Sequence, residues 1–550
     1  MHEPNGRGCP YGKGCICLFG GFRMLGASYL YFVMPSVLWC GAKICGGVGH
    51  ILSFGGWPAD IKPCFHRDPV PFGIPSIWLL LCFWKNYGNY CVDNPQCGNI
   101  CKEAYKMSQE IIKLFPYKLF VSDSGKYMFT SKNNRLLKLS DKVYAVLERA
   151  TEDFIIYLPI DKHVLEVLQA GDVVRGQMDV GNTEMIENRG QELQSIILMT
   201  IQDCNLNCKY CYGEGGQYKD KGIMQIDTAK RAVDFLINNC GDRKKVDIVF
   251  FGGEPLLNLT LIKAIVEYAK EIEQKRGIYF GMSITTNATL LTKEVQEYLE
   301  DNNISIKISI DGPKEVNDNM RVFPDGRGSF DRIMKNTEGL RKEGKASARA
   351  TITSAFLNTK IIEKFLYESG FNDVGIAYAV ESFDEEDYEK VYNISCEYID
   401  EISGLIHNGK YNEIRYGYTS IFAYLSHIHS SVIGCYPCGV GRTMVAIDKD
   451  GRFFPCQRFV GVEKYQLGNL EKGLHNDAFL EAVNVLTHKK CEKCWCRNLC
   501  LGKCPYDNYA VTGTVDEPSD ISCRLIKRIY ERIILLYISL SDEEKRNLFH

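Results

Sequence analysis

A chain of 550 residues that is 45% hydrophobic and 24% charged has globular composition and room for roughly three or four domains, which excludes disorder over most of its length. Its 65 Lys and Arg stand against 68 Asp and Glu, and a net charge of -3 removes the electrostatic case for nucleic-acid binding. The 24 cysteines are clustered in a long chain, which argues against a secreted disulfide scaffold and for metal in a reducing compartment.

Ten of them lie between Cys9 and Cys101, within a first segment, residues 1–106, rich in Gly, Trp and Pro. Its apolar runs at 25–40 and 74–84 are interrupted by Pro35 or too short for the ~20 residues of a membrane span. The segment is no clean signal peptide either, and no membrane association is expected. Lys102, Glu103 and Ala104 precede Met107, and that tripeptide can be encoded by a purine-rich ribosome-binding sequence. The expectation is that Met107 is the native start and that 1–106 is translated upstream sequence. The rival reading is a Cys-rich extension that binds metal or anchors weakly to a membrane.

Residues 107–180 predict a compact winged-helix-like module. Segments 118–121, 126–130 and 135–139 read as a meander, with turns at Ser124-Gly125 and Asn133-Asn134. Ser140 is placed to cap a helix through Leu147, and 161–170 supplies another before Gly171. Residues 182–191 are polar and read as a linker.

From 192 to 380 strands and helices alternate, the pattern of a parallel sheet with crossover helices. Strands are expected at 195–202, 246–251, 279–286, 304–310, 349–354 and 374–379, so the fold class is α/β, a partial barrel of six β/α units. Asp227 reads as an N-cap, and Ala229, Val233 and Leu236 form one apolar helix face. In the fourth strand Ile304, Ile306, Ile308 and Ile310 alternate with Ser305, Lys307 and Ser309, which puts the polar face toward the lumen. Residues 381–433 follow as a helical bridge, 434–530 as a cysteine-bearing domain and 531–550 as a C-terminal helix or tail.

Cys204, Cys208 and Cys211 form a C-x3-C-x2-C motif just past the first strand. Three thiolates hold a [4Fe–4S] cluster while leaving one iron without a protein ligand. Zinc would want a fourth Cys or His nearby, and none lies between Tyr212 and Asn239. The second strand ends in Gly252-Gly253-Glu254, where small residues admit a ligand close to the backbone and Glu254 offers a partner for an ammonium. The third ends in Thr285-Thr286-Asn287 and the fourth in Ser309-Ile310-Asp311, with Arg321 ten residues beyond Asp311. Barrel folds bind ligands at these carboxyl ends. The bland reading is a strand turn with an incidental Glu254 ion pair.

Together these residues resemble the radical S-adenosylmethionine (radical SAM) superfamily. The resemblance implies that Cys204, Cys208 and Cys211 hold a cluster whose open iron is chelated by SAM. One-electron cleavage of SAM would then give a 5′-deoxyadenosyl radical that abstracts hydrogen. It also implies Gly252, Gly253 and Glu254 near the methionyl amine, Ser309 and Arg321 on the carboxylate, Asn287 near the ribose and Tyr210 against the adenine side.

Further on, Cys438, Gly451 and Cys456 are spaced C-x12-G-x4-C, and Cys491, Cys494, Cys500 and Cys504 are spaced C-x2-C-x5-C-x3-C, with Cys523 beyond. Two zinc knuckles would be the bland alternative. The full spacing resembles the SPASM extension of radical SAM enzymes. That implies one auxiliary [4Fe–4S] cluster on Cys435, Cys438, Cys456 and Cys504 and another on Cys491, Cys494, Cys500 and Cys523. The gap between Cys435 and Cys438 is shorter than a fully ligated first cluster leads one to expect, so Cys435 is the least secure ligand. Cys240, Cys396 and Cys496 read as bystanders.

Across 117–530 the arrangement resembles maturases that install thioether crosslinks in ribosomally made Cys-rich peptides. Residues 116–177 resemble the precursor-recognition element of such enzymes, which takes a leader peptide as an added strand. The implied partners are a Cys-containing precursor peptide and a flavodoxin- or ferredoxin-type reductant, in the cytoplasm of an anaerobic host. The runner-up is an anaerobic sulfatase maturase, which makes formylglycine, but Gln457 stands where those enzymes place an Asp base. A third option is carbon–carbon crosslinking. A non-catalytic iron–sulfur electron carrier would have no need of an open iron beside Glu254, Ser309 and Arg321.

Overall fold

The computed structural model describes residues 111–175 and 192–549, with two short strands before them. The chain divides into two units, Met1–Glu110 and Ile111–His550. In the first, the described strands Cys17–Phe19 and Cys64–His66 pair in parallel. The expected start at Met107 and the linker at 182–191 lie outside the described residues.

In the second unit Ser195–Gln202, Lys245–Gly252, Tyr279–Thr286, Ile304–Ser309, Ala346–Ile352 and Asp373–Tyr378 lie side by side in chain order, all parallel. The first and sixth strands do not pair, so the barrel is partial, as the alternation of elements predicts. The Ile304–Ser309 strand buries Ile304, Ile306 and Ile308 against helices and turns Lys307 and Ser309 to the lumen; Ser305, below them, is exposed.

Two local expectations need correction. Helix Ile226–Asn238 buries Ala229, Ala232, Val233, Leu236 and Ile237, but its N-cap is Gln225; Asp227 sits inside the first turn, where its charge favours the helix dipole. The fifth strand is Ala346–Ile352, earlier than 349–354. Its buried positions begin with Ala346, Ala348 and Ala350, which carry little strand signal, and the chain leaves the sheet after Ile352 through a bridge from Thr353 to Phe356.

The cysteine-bearing C-terminal region continues the same sheet. Met444–Ile447 pairs in parallel with the first barrel strand, Met444 opposite Ser195. Arg452–Phe454 returns antiparallel around a turn in which the buried Asp448 carboxylate accepts from the Asp450 and Arg452 backbone at 3.0 and 2.8 Å. Helix Asp520–Ser539 runs straight through the boundary expected at 530 and lies along helix Glu385–His407, joined to it by the Arg524–Glu385 ion pair at 3.0 Å.

Residues 111–175 hold a three-stranded antiparallel sheet, Tyr117–Ser122, Gly125–Thr130 and Arg135–Leu139, with helices Asp141–Glu148 and Lys162–Ala170. Ser140 and Asp161 cap those helices. A second ladder, Ile111–Lys113 with Ile155–Tyr157, escapes the sequence reading because each strand is only three residues long. The sheet's turn is seated on the cysteine-bearing region. Asn134, in the left-handed region at φ 51°, donates its amide to the Val432 carbonyl at 2.8 Å, and Asn498 donates to the Ser131 carbonyl. Trp495 packs edge-on against Phe120 and Phe129, with ring centroids 6.4 and 6.1 Å away. Among the described residues no helix is long and apolar enough to cross a membrane.

Candidate active site

The loop after the first barrel strand carries Cys204, Cys208 and Cys211, and it is tied to the far side of the barrel mouth. Asn207 N–H donates to the Val322 carbonyl at 2.7 Å and Lys209 N–H to that of Met320 at 3.0 Å. The three thiols are free and line one cavity of about 360 Å³. Burial pushes Cys204 up to about 12 and Cys208 to about 11, so these thiols need a cation beside them to ionise at neutral pH. A three-thiolate iron site supplies one.

Glycines shape the adjoining wall by close approach of backbone to backbone. A Cβ on Gly253 would lie 2.0 Å from the Asp203 carbonyl oxygen, and one on Gly252, at φ 143°, 2.2 Å from that of Ile201. Gly253 N–H donates to the Ile201 carbonyl at 2.9 Å, so the second strand end is bonded to the first as it bends over the cavity. Gly252, Gly253, Tyr210, Asn287, Ser309 and Arg321 all line this cavity with the three cysteines.

Glu254 stands apart from that group. It is fully buried behind the wall, and its carboxylate accepts from Thr286 Oγ1 at 2.7 Å, Asn287 N at 2.7 Å and Leu256 N at 3.0 Å. Burial raises it to about 7 in spite of those bonds. It fixes the third strand end, and so the orientation of Asn287, whose amide donates to Asn205 at 2.9 Å and lies 3.8 Å from Cys204 Sγ.

Asp311 organises the opposite wall. It accepts the Tyr210 hydroxyl at 2.6 Å, Arg321 at 3.1 Å and the Thr351 N–H at 2.9 Å. Burial works against the Arg321 charge, yet the Asp311 carboxylate holds the guanidinium above its ordinary range. The Arg321 guanidinium also stacks 5.4 Å from the Tyr210 ring.

Sequence reasoning missed Tyr212, Arg349, Tyr378, Glu381 and Arg458, which complete the cavity. Tyr212 and Arg458 were findable, since each lies within two residues of a motif cysteine, Cys211 or Cys456. Arg458 pairs with Asp507 at 2.5 Å and Glu381 at 3.3 Å, stacks 4.1 Å from the Tyr506 ring and comes within 3.8 Å of Cys504 Sγ.

The C-terminal cysteines are free and fall into groups. Burial is the main force raising Cys456, to about 12, and the charges of Cys504 and Cys438 add to it. Burial raises Cys491 in the same way, followed by Cys500, Cys494 and Cys523. Cys435 is raised by burial, which the charges of Arg497 and Arg442 oppose. Cys240 and Cys496 are fully buried. Among the described residues no three His, Cys, Asp or Glu side chains close around a single ion.

Residues 198–365 match the Radical SAM superfamily. An uncharacterized protein of Methanocaldococcus jannaschii is 39% identical over 137 residues, 25% of this chain and 45% of that protein. The cysteine-type anaerobic sulfatase-maturating enzyme of Clostridium novyi is 24% identical over 377 residues, 64% of this chain and 98% of that protein. The radical SAM cyclopropyl synthase TigE of Paramaledivibacter caminithermalis is 25% identical over 468 residues, 77% of this chain and 96% of that protein. The solved structure of native anSMEcpe with bound AdoMet and Cp18Cys peptide superimposes with a TM-score of 0.52 at 21% identity, covering 63% of this chain and 99% of that one, a likeness of fold.

Proposed function

From the radical SAM domain that the chain carries, we propose that this enzyme modifies a ribosomally made, Cys-containing precursor peptide. Its cofactors are S-adenosylmethionine and a [4Fe–4S] cluster, which when bound supply one-electron chemistry ending in hydrogen abstraction from a substrate carbon. Cys204, Cys208 and Cys211 would hold the cluster, and Gly252 and Gly253 would receive the SAM amine. Ser309 and Arg321 would hold its carboxylate, Asn287 would meet the ribose and Tyr210 the adenine side. Glu254 acts from behind the wall, by orienting Asn287. In the C-terminal region, Cys438, Cys456 and Cys504 are the first auxiliary group and Cys491, Cys494, Cys500 and Cys523 the second. Cys435 is a weaker candidate for the first.

The observation that carries the reading is a shared wall: Gln457 and Arg458, which follow Cys456, line the same cavity as Cys204, Cys208 and Cys211. A peptide side chain in that space would lie between the SAM site and the first auxiliary group. The superimposed structure also holds a bound peptide, and residues 111–175 offer a sheet edge at Arg135–Leu139 for a leader strand. The finer reading is thioether formation, in which a substrate thiolate bonds to the carbon that lost hydrogen. The enzyme would work in the cytoplasm of an anaerobic host with a flavodoxin- or ferredoxin-type reductant.

Carbon–carbon bond formation is the second reading, favoured by the cyclopropyl synthase, whose match covers 77% of this chain. Formylglycine formation is less well supported, because Gln457 has no acid–base capacity. The test is reduced enzyme with SAM and a Cys-containing precursor, analysed by mass spectrometry. A thioether product is lighter by two hydrogens and no longer alkylated by iodoacetamide. A product of that mass whose thiol still alkylates turns the assignment to carbon–carbon chemistry, and an aldehyde with loss of sulfur turns it to formylglycine.

A further inference from the structure

Five charged side chains line the cavity: Lys307, Arg321, Arg349, Glu381 and Arg458. Two of the cations are neutralised, Arg321 by Asp311 at 3.1 Å and Arg458 by Asp507 and Glu381 at 2.5 and 3.3 Å. Lys307 and Arg349 have no carboxylate at ion-pair distance among the described residues; the hydrogen bond that Arg349 makes is a long one, 3.4 Å, to the Ile376 carbonyl. The cavity wall therefore carries two cations outside any ion pair among the described residues.

These two sit close together by register. Ser309 is opposite Arg349 and Lys307 opposite Ser347 on adjacent parallel strands, so the cations occupy the same lumen face about 7 Å apart along the strands. Space is reserved for the larger one: a Cβ on Gly375, on the sixth strand, would lie 3.1 Å from Arg349 Nη1. Arg349 is exposed to the solvent of the cavity, and Asp507 and Cys504 lie near enough to act on its charge without pairing with it. A cation that lines a cavity and is held in no ion pair is placed to pair with an anionic ligand.

We propose that Arg349 and Lys307 form a carboxylate subsite that receives an acidic group of the peptide, either an Asp or Glu side chain or a free C-terminus, beside the reacting residue. This rests on the peptide reading above. The planar guanidinium of Arg349 takes a carboxylate through two parallel bonds, and Lys307 adds a point charge. An amide in the same place would leave that cation unpaired, and such sites discriminate strongly.

The test is calorimetric titration of short peptides into full-length, anaerobically reconstituted, SAM-loaded enzyme. The probes are Ac-Gly-Cys-Gly-Glu-Gly-NH2, the same peptide with Gln or Lys for Glu, and Ac-Gly-Cys-Gly-Gly-Gly-OH. Either the Glu probe or the free acid should bind about tenfold or more tightly than the Gln probe, and which of them does so identifies the source of the carboxylate. Arg349→Glu should reverse the order and favour the Lys probe, while SAM affinity, read in the same calorimeter, holds within about twofold. Equal binding of all the probes overturns the subsite and leaves the peptide reading standing; binding of none overturns that reading, and the subsite with it. If Arg349→Glu weakens SAM and leaves the probe order unchanged, the cations serve the cofactor's own carboxylate and the proposal fails.

Discussion

Tyr210 donates its hydroxyl to Asp311 across 2.6 Å, and the same carboxylate holds Arg321 at 3.1 Å, so a residue between two cysteines is tied to the end of the fourth barrel strand. Replacing Asp311 by Asn would leave Arg321 buried without a counter-charge. The variant should lose about 3–5 kcal/mol of stability and bind SAM at least about tenfold more weakly. Tyr210→Phe removes one hydrogen bond and should cost about 1 kcal/mol. Anaerobic thermal unfolding and calorimetric SAM titration measure both.

Gly253→Ala forces a Cβ to within 2.0 Å of the Asp203 carbonyl, and neither backbone has room to give. Reconstituted protein should fail to bind SAM and should lose iron from the Cys204 site. Gly277→Ala, where a Cβ meets nothing within 4 Å at φ 64°, should cost only about 1–2 kcal/mol of backbone strain. Iron analysis and melting temperature separate the two cases.

Cys435 is buried, with Arg497 and Arg442 as its charged neighbours, and it is the least secure ligand of the first auxiliary group. Cys435→Ala should therefore keep the roughly twelve irons of a three-cluster enzyme, whereas Cys456→Ala and Cys491→Ala should each lose about four. A loss of iron in Cys435→Ala equal to that in Cys456→Ala would restore it to the ligand set.

Glu363, on the buried face of helix Thr359–Glu368 and bonded by the Tyr398 hydroxyl, is raised by burial from 4.5 to about 7. The native state holds this proton more tightly than the unfolded chain does. Its contribution is fully present below the unfolded value of 4.5 and is lost as pH rises through about 7. Wild type should lose stability between about pH 4.5 and 7.5, by at most about 3 kcal/mol from this group, and Glu363→Gln should flatten that slope. Denaturant titrations at the two pH values check it.

The barrel was legible because its strands carry contrast: Ile304, Ile306 and Ile308 alternate with lumen-facing polar residues, and the site motifs sit where strands end. The fifth strand was displaced because Ala346, Ala348 and Ala350 bury little side chain and leave no such contrast. Met444–Ile447 and Arg452–Phe454 were overlooked although Asp450-Gly451 between apolar runs is a hairpin signal, since cysteine spacing dominated that stretch. Glu254 was expected near the SAM amine; its bonds to Thr286 and Asn287 come from tertiary packing that no motif carries. Arg349 is distant in sequence from every motif, and adjacency to Ser309 is a property of strand register alone.

The turn at Ser131–Asn134 is bonded to Val432 and Asn498, and Trp495, between Cys494 and Cys496, fills the gap beneath Phe120 and Phe129. Whatever iron the second auxiliary group takes up would therefore stabilise residues that bind none of it. With that iron absent, the segment 111–175 would lose part of the support beneath its sheet, and proteolysis of iron-free protein should begin there.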